Sequence, residues 1–568
     1  MVNKRIFWPF LIFFVYACTL IYPSLGAYNL FDWDEINFAE SSREMLFSKN
    51  FFQVQVNYEP FHEKPPLFFW LQFLAMKCFG ISAFAARFPN ALLSILTPLI
   101  LFKIGSEIKN HSFGLIWGLT YLCGILPNLY FRTGIIDPYF NLFIFLSIYF
   151  YYRSLIFKNY SNIIFSGLFT GLATITKGPV GLLIIAIVAF IYFLLSKKKP
   201  SLKQLIIFGL LFLFTSSLWY GYEIYNKGPW FLVEFVKYQL DLFSRPVAGH
   251  KQPIYYHFLV LLFGCFPFSF FAIKNCIRSS GSNIKFEKIM RVLFWVVLIL
   301  FSVVTTKIAH YSSLAYFPLS FLATIELYKL NIGKKISRWL QFSLVTFGSL
   351  ISIFLILILK IFNENKFLLV DLVKDKNFHL MLENEIEWHG SEWLIPIFLL
   401  LSSLLWFKSN YSKVIFNLTF FMFLNGIFFS LSSFFIVPKV ELMTQGYAIN
   451  FYKSISKEKK YLTTVGFKSY AHYFYANIDQ LSKNDSLFHA KRRILKNNFN
   501  VNSLNELNLT DKMRFNSYVI SWLINDKIDR PVYFVTKINR SEPQLENSTN
   551  LTKIKQQGGY VFYKRELK

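Results

Sequence analysis

The chain has 568 residues, of which 54% are hydrophobic, 20% aromatic and only 16% charged. Soluble domains carry about 25% charged residues, so this composition excludes an ordinary water-soluble globule. The formal net charge is +27, but the cations stand in short clusters between apolar runs, such as Lys197-Lys198-Lys199 and Lys334-Lys335. That spacing is the punctuation of membrane topology and not a nucleic-acid-binding stripe. The 69 Phe, 32 Tyr and 12 Trp suit bilayer-facing helices and their interfacial belts. Five cysteines lie in or beside apolar stretches without a close pair, which reads as small buried hydrophobes, neither metal knuckle nor disulfide framework.

Arg5 to about Leu25 places basic residues before a long apolar run with no small-x-small cleavage site. It predicts a first membrane helix with a cytoplasmic N-terminus. Further spans are expected near 84–106, 112–130, 135–152, 161–176, 179–196, 203–224, 254–273, 291–306, 309–328, 339–361, 392–407 and 413–437. That makes about thirteen spans of roughly 20 residues. With the N-terminus inside, Lys103/Lys109, Arg153/Lys158, Lys197–Lys203, Lys274–Arg291, Lys329–Arg338 and Lys408–Lys413 all fall on the inner side, as the positive-inside rule requires. An odd number of spans leaves the tail outside. From Pro438 the chain turns polar and Lys/Asn-rich, with short alternating apolar patches such as Tyr560-Val-Phe-Tyr. This predicts a small soluble α/β domain over 438–568, an accessory to a mainly α membrane domain over 1–437.

The outer segments carry the residues capable of chemistry. The first, about 27–83, reads Asp34-Glu35-Ile36-Asn37-Phe38-Ala39-Glu40-Ser41-Ser42-Arg43-Glu44, then Phe61-His62-Glu63-Lys64-Pro65-Pro66-Leu67. Asp34 and Glu35 open a helix-like stretch, and one reading is simple N-terminal capping. Leu67 to Gly80 is apolar but too short to cross, which suits an interfacial or re-entrant helix holding Glu63 and Lys64 at the membrane surface. Arg132-Thr-Gly-Ile-Ile-Asp137-Pro138 and Thr176-Lys177-Gly178-Pro179 follow, the latter a break between apolar helices with a lysine at membrane depth. Intramembrane ionisable residues are costly and point to function, although Lys177 could also snorkel to the interface. A later loop holds Arg245 and His250-Lys251-Gln252-Pro253, and a short turn holds Lys307, His310 and Tyr311. A few carboxylates and several cations on one face beside lipid suit a lipid-phosphate-sugar donor. Lysines would stabilise the departing phosphate, and one carboxylate would orient or deprotonate an acceptor.

In these motifs the chain resembles the aminoarabinose (4-amino-4-deoxy-L-arabinose) transferase-like glycosyltransferases, relatives of the protein O-mannosyltransferases in the GT-C superfamily. Asp34-Glu35 with Ala39-Glu40 and Arg43-Glu44-Met45-Leu46, then Glu63-Lys64-Pro65-Pro66-Leu67, Thr176-Lys177-Gly178-Pro179, His250-Lys251-Gln252-Pro253 and Lys307 to Tyr311 carry the likeness. It covers about residues 1–330 well and the rest in outline. The resemblance implies a GT-C fold in a bacterial inner membrane and transfer of a sugar from a polyprenyl phosphate to an envelope acceptor (lipid A-type glycolipid, other glycan or protein). It makes Asp34 the catalytic aspartate with Glu35 beside it, and Lys64 and Lys177 donor-phosphate contacts, with Arg245 and Lys307 as further cations. Arg43, Asp137 and Tyr311 match cavity positions. Glu63 and His250 match positions that hold a divalent metal, although two ligands under-coordinate one and a Glu–His hydrogen bond explains them as well. Two positions depart from the aminoarabinose branch: Asn37 and Leu242 stand where arginines are common. The reaction class survives this, while the identity of sugar and acceptor does not follow. A transporter or flippase of a lipid-linked sugar is the alternative, and it predicts midplane polar sites and internal repeats.

Overall fold

A computed structural model describes residues 4–61, 63–229, 232–233, 235–237, 240, 252–281, 284–364, 366, 368, 379, 382, 386–408, 413–502, 504–540 and 543–567. As far as Phe435 the chain is a bundle of helices, and their starts follow from local chemistry. Ser82 Oγ accepts from the Ala85 N–H at 3.2 Å to open helix Ala83–Ile108, and Asn110 Oδ1 accepts from the Phe113 N–H at 2.9 Å to open His111–Cys123. Ser201 and Gln204 form a reciprocal capping box at the head of Leu202–Ser217. Lys158 and Lys197 take left-handed conformations that stop helices Asp137–Phe157 and Val180–Ser196. A cation there also complements the helix C-terminus.

Among the described residues, five helices have the length and composition of membrane spans, and six if Leu202–Ser217 and Tyr220–Lys227, bent by 54°, count as one. That is fewer than the about thirteen spans expected, and several of the expected stretches are short or broken helices. Residues 112–130 break at Gly124 into His111–Cys123 and Ile125–Tyr130, and 254–273 breaks near Pro267 into Tyr256–Gly264 and Phe268–Ile277. Glycines let helices Ala83–Ile108 and His111–Cys123 touch backbone to backbone: a Cβ on Gly114 would stand 2.2 Å from the Phe102 carbonyl oxygen. Small residues at such crossings are what holds helices together where lipid removes the hydrophobic drive. Three of the five cysteines are buried as expected, but Cys78 is exposed on helix Leu67–Phe79.

The first outer segment contains helix Asp34–Ser48, a two-residue hairpin pairing Gln55–Val56 with Glu59–Pro60, and the short apolar helix Leu67–Phe79. Asn57 and Tyr58 both have positive φ, as a tight two-residue turn needs. The Glu44 carboxylate holds the turn by accepting from both of their amides. The helix itself is tied to the bundle by Arg87, which is fully buried and pairs with both Glu35 oxygens at 2.7 and 2.8 Å. The remaining Arg87 donors go to the carbonyls of Leu25, Tyr28 and Asn29.

The C-terminal region forms a four-stranded sheet in the order Tyr461–Val465, Val532–Lys537, Tyr560–Arg565, Thr552–Gln557, with the first pair parallel and the others antiparallel. Helices Ser486–Phe499 and Leu509–Asn525 accompany it. A second hydrophobic cluster joins this region to the outer segment, with Leu30, Ile36, Ala39 and Ala86 meeting Tyr470, Phe474, Tyr533 and Phe562.

Two outcomes test this packing by unfolding in detergent. Arg87→Met should cost about 3–5 kcal/mol because it leaves Glu35 buried without its partner, and Glu35→Met/Arg87→Met should recover part of the loss. Gly114→Val should cost about 1–3 kcal/mol by forcing the two helices apart.

Candidate active site

The helix break at Gly178-Pro179 builds the centre of the site. Gly178 has φ +97°, and a Cβ there would meet the Phe235 ring at 2.3 Å, so only glycine fits the turn. The break ends helix Tyr160–Lys177 with Lys177 aimed at the first turn of Asp137–Phe157. Its Nζ donates to Asp137 Oδ1 at 2.6 Å, with Lys177 16% and Asp137 6% exposed. The same ammonium lies 5.0 Å from the Tyr311 ring centroid and 5.8 Å from that of Phe140, where aromatic faces attract a cation.

The turn Ala309–Ala315 brings His310 to this pair. Its Nε2 stands 3.9 Å from Asp137 Oδ2 and 3.8 Å from Asp34 Oδ2. These separations exceed hydrogen-bond length, so the imidazole lies between two carboxylates without a direct bond to either. Asp34 remains 47% exposed. A cavity of about 350 Å³ opens beside this group, with Lys64, Asp137, Asn141, Lys177 and Tyr311 at its polar end and Val180, Leu183, Ile184, Leu300 and Phe301 on its walls. That shape suits a ligand with an anionic head and an apolar tail. Burial pushes the Lys64 ammonium below the usual lysine range, while Glu63, Asp34 and Asp137 act in the opposite direction and Lys177 adds to the fall.

The structure thus gathers Asp34, Lys64, Asp137, Lys177 and Tyr311, with Glu63 acting on Lys64. Three expected residues stand elsewhere. Glu35 is spent on Arg87 and on the amides of Phe31 and Gly134; its contacts are those of a structural anchor and not of a helix cap, since neither amide belongs to the first turn of Asp34–Ser48. Arg43 is 1% exposed and grips Glu40 with two 2.7 Å bonds and the Ile478 carbonyl at 2.8 Å, which commits it to the C-terminal region and not to the cavity. Lys307 is 6% exposed and donates to the Val304 carbonyl at 2.8 Å, behind the cavity wall. Arg245 and His250 lie outside the described residues. Of the two expected metal ligands only Glu63 is therefore described, and no group of three His, Cys, Asp or Glu is found among the described residues.

The C-terminal region packs on the outer segment next to Asp34. The Asp32 carboxylate accepts from the Tyr470 N–H at 3.1 Å and from the Ser469 hydroxyl. Gln445 accepts from the Asp32 N–H at 3.1 Å and donates to the Leu30 carbonyl at 2.7 Å. Trp33 meets the edge of Tyr470, and Lys468 Nζ lies 4.8 Å from the Trp33 ring centroid. The chain on the N-terminal side of Asp34 is held by these contacts. A partner more than 400 residues away leaves no local sequence signal. His310 was visible as a histidine in an outer turn, but nothing in the sequence placed it between Asp34 and Asp137.

Residues 63–220 match the family model of dolichyl-phosphate-mannose-protein mannosyltransferases. An uncharacterized protein of Aquifex aeolicus (strain VF5) is 28% identical over 338 residues, 58% of this chain and 66% of that protein. The undecaprenyl phosphate-alpha-4-amino-4-deoxy-L-arabinose arabinosyl transferase of Wigglesworthia glossinidia brevipalpis is 28% identical over 375 residues, 63% of this chain and 65% of that protein. The chain thus spans just under two thirds of the length of these relatives. Among solved structures, ArnT from Cupriavidus metallidurans bound to undecaprenyl phosphate superposes with a TM-score of 0.71 at 14% identity, covering 98% of this chain and 97% of that one. Its apo state gives 0.72 at 15% identity with the same coverage. The likeness covers nearly the whole chain, so this polytopic chain shares the fold of ArnT.

Proposed function

We propose that this protein transfers a sugar from a polyprenyl-phosphate donor to an envelope acceptor, with inversion, on the outer face of a bacterial inner membrane. The observation that carries the proposal is the cavity in which Lys64 and Lys177 stand at the polar end of apolar walls, beside Asp34 and His310. The arabinosyl transferase name of the Wigglesworthia relative and the undecaprenyl phosphate bound to ArnT support it.

In this reading the donor phosphate lies between Lys64 and Lys177, and its tail follows Val180, Leu183 and Ile184. The acceptor oxygen attacks the anomeric carbon from the face opposite the phosphate. The carbon–oxygen bond to phosphate breaks, and the lipid phosphate leaves with the electron pair and one more negative charge. The two ammonium groups stabilise that charge in a poorly screened site. A hydroxyl acceptor gives its proton to Asp34, whereas an acceptor phosphate is already ionised and needs Asp34 and His310 only for orientation. Asp137 holds Lys177 in place. A divalent ion on Glu63 and His250 is a further expectation; if bound it would supply additional positive charge, and a chelator dialysis with metal add-back checks it. The proposed topology puts the N-terminus inside and the C-terminus outside, so reporter fusions after Lys203 and Lys568 should report opposite sides.

Purified protein in lipid, given polyprenyl-phosphate sugars and a panel of envelope acceptors, should transfer sugar. Asp34→Asn should lower kcat by roughly 10²–10⁴-fold for a hydroxyl acceptor. Full-rate transfer by Asp34→Asn would remove Asp34 from the role of base, and transport of donor without transfer would favour a flippase. Lys64→Ala should raise the donor KM. Because Lys64 titrates below its ordinary 10.5, a nearby phosphate favours its charged form and donor binding takes up protons near that lowered value. Donor affinity should therefore fall as pH rises through it, and that alkaline limb should vanish in Lys64→Ala.

A further inference from the structure

Three cavities follow one another along the seam between helices Val180–Ser196 and Phe286–Val303. The first is the polar cavity already described, which reaches Leu300. Leu300 also borders the second, an apolar trough of about 500 Å³ walled by Ile187, Ile191, Val292, Val296 and Ile299. Lys288 and Arg291 close that trough and line the third, a cavity of about 590 Å³ that adds Lys198 and Lys285. Helix Val180–Ser196 begins beside Lys177 and ends beside Lys197. Its length is about 26 Å at 1.5 Å per residue, close to the hydrocarbon thickness of about 30 Å. The seam therefore runs from one headgroup level to the other.

We propose that the basic end of this seam, opposite the candidate active site, binds the phosphate headgroup of an anionic phospholipid whose acyl chain lies in the apolar trough. The charge is complementary: Lys198, Lys285, Lys288 and Arg291 face one carboxylate, Glu287. Glu287 is engaged by Arg291 and accepts from the Ser280 N–H at 2.8 Å. Arg291 Nε is fixed on the Asn275 carbonyl at 2.9 Å and Lys288 reaches the Leu195 carbonyl, so two cations are held in place. Lys198 and Lys285 are exposed beside them. Basic pockets between membrane helices are recognised by lipid phosphates in this way. The trough supplies the second half of the match. Trp295 is 40% and Ile299 56% exposed along it, which suits an acyl chain and does nothing for a soluble anion. The donor enters the same seam from the Lys177 end, so one seam serves a different lipid in each leaflet.

The test uses the full chain purified in detergent and titrated with phosphatidylglycerol or phosphatidylcholine under native mass spectrometry. Phosphatidylglycerol should be retained in preference. Lys198→Gln/Lys285→Gln should weaken that retention roughly tenfold or more, while Lys198→Arg/Lys285→Arg preserves it and controls for misfolding. Lys64→Ala should leave it intact, which separates this site from the donor site whether or not transfer is observed. Equal retention of the two lipids, or unchanged affinity in the Gln variant, overturns the proposal. Displacement of phosphatidylglycerol by undecaprenyl phosphate assigns the trough to the donor tail and overturns it as well.

Discussion

A lysine at membrane depth is the constraint on which the rest of this architecture turns. An ammonium removed from water is tolerated only with a partner, and Lys177 has Asp137 at 2.6 Å with the faces of Tyr311 and Phe140 close by. Meeting that demand dictates the local chain. The helix carrying Lys177 has to stop at the level of Asp137, and Gly178 provides the stop with a φ that a side chain would oppose. Helix Val180–Ser196 then leaves the site as an apolar wall, so the same break that positions the cation also creates the cavity beside it.

Asp34 depends on a different kind of support. It remains half exposed at the start of its helix, and the residues around it are secured from two sides. Arg87 holds the next residue, Glu35, from within the bundle, while Ser469 and Tyr470 hold Asp32 from the C-terminal domain. A carboxylate that meets an acceptor, the role proposed for Asp34, cannot be paired tightly without losing its use. Fixing its neighbours is the way to place it while leaving its oxygens available, the arrangement expected of a preorganised site. This is a physical reason for the C-terminal sheet region to pack over the outer segment.

The helical architecture was legible because each part of it is written locally. Apolar runs, cap residues such as Asn110 and Ser201, and breakers such as Gly178-Pro179 are all signals within one or two turns. The short helix at Leu67 was readable from its length alone. The candidate site was legible where charge interrupts hydrophobicity, which is why Lys64, Asp137 and Lys177 stood out. It was illegible where two acidic residues are adjacent on a helix. Asp34 and Glu35 look equivalent in sequence, yet they face different directions, and only the position of Arg87 shows which one is consumed by folding. Arg43 misled for a similar reason: its motif is intact, but Glu40 one turn away and Ile478 in the distant domain take its donors.

The charge around the cavity also indicates where binding energy is best spent. Lys177 already has Asp137, and Lys64 has Glu63, Asp34 and Asp137 acting on it, so an incoming phosphate diester shares these cations with resident carboxylates. A singly charged diester therefore gains less than two unpartnered lysines would give it. In the proposed transfer the lipid phosphate acquires a second charge as the bond to the sugar breaks, and both its attraction to the two ammonium groups and its repulsion from the carboxylates grow. What favours departure is therefore the attraction of Lys64 and Lys177 in excess of the repulsion from Asp137 and Asp34, because that excess grows with the charge on phosphate, and interactions that strengthen toward the transition state are the ones that raise turnover.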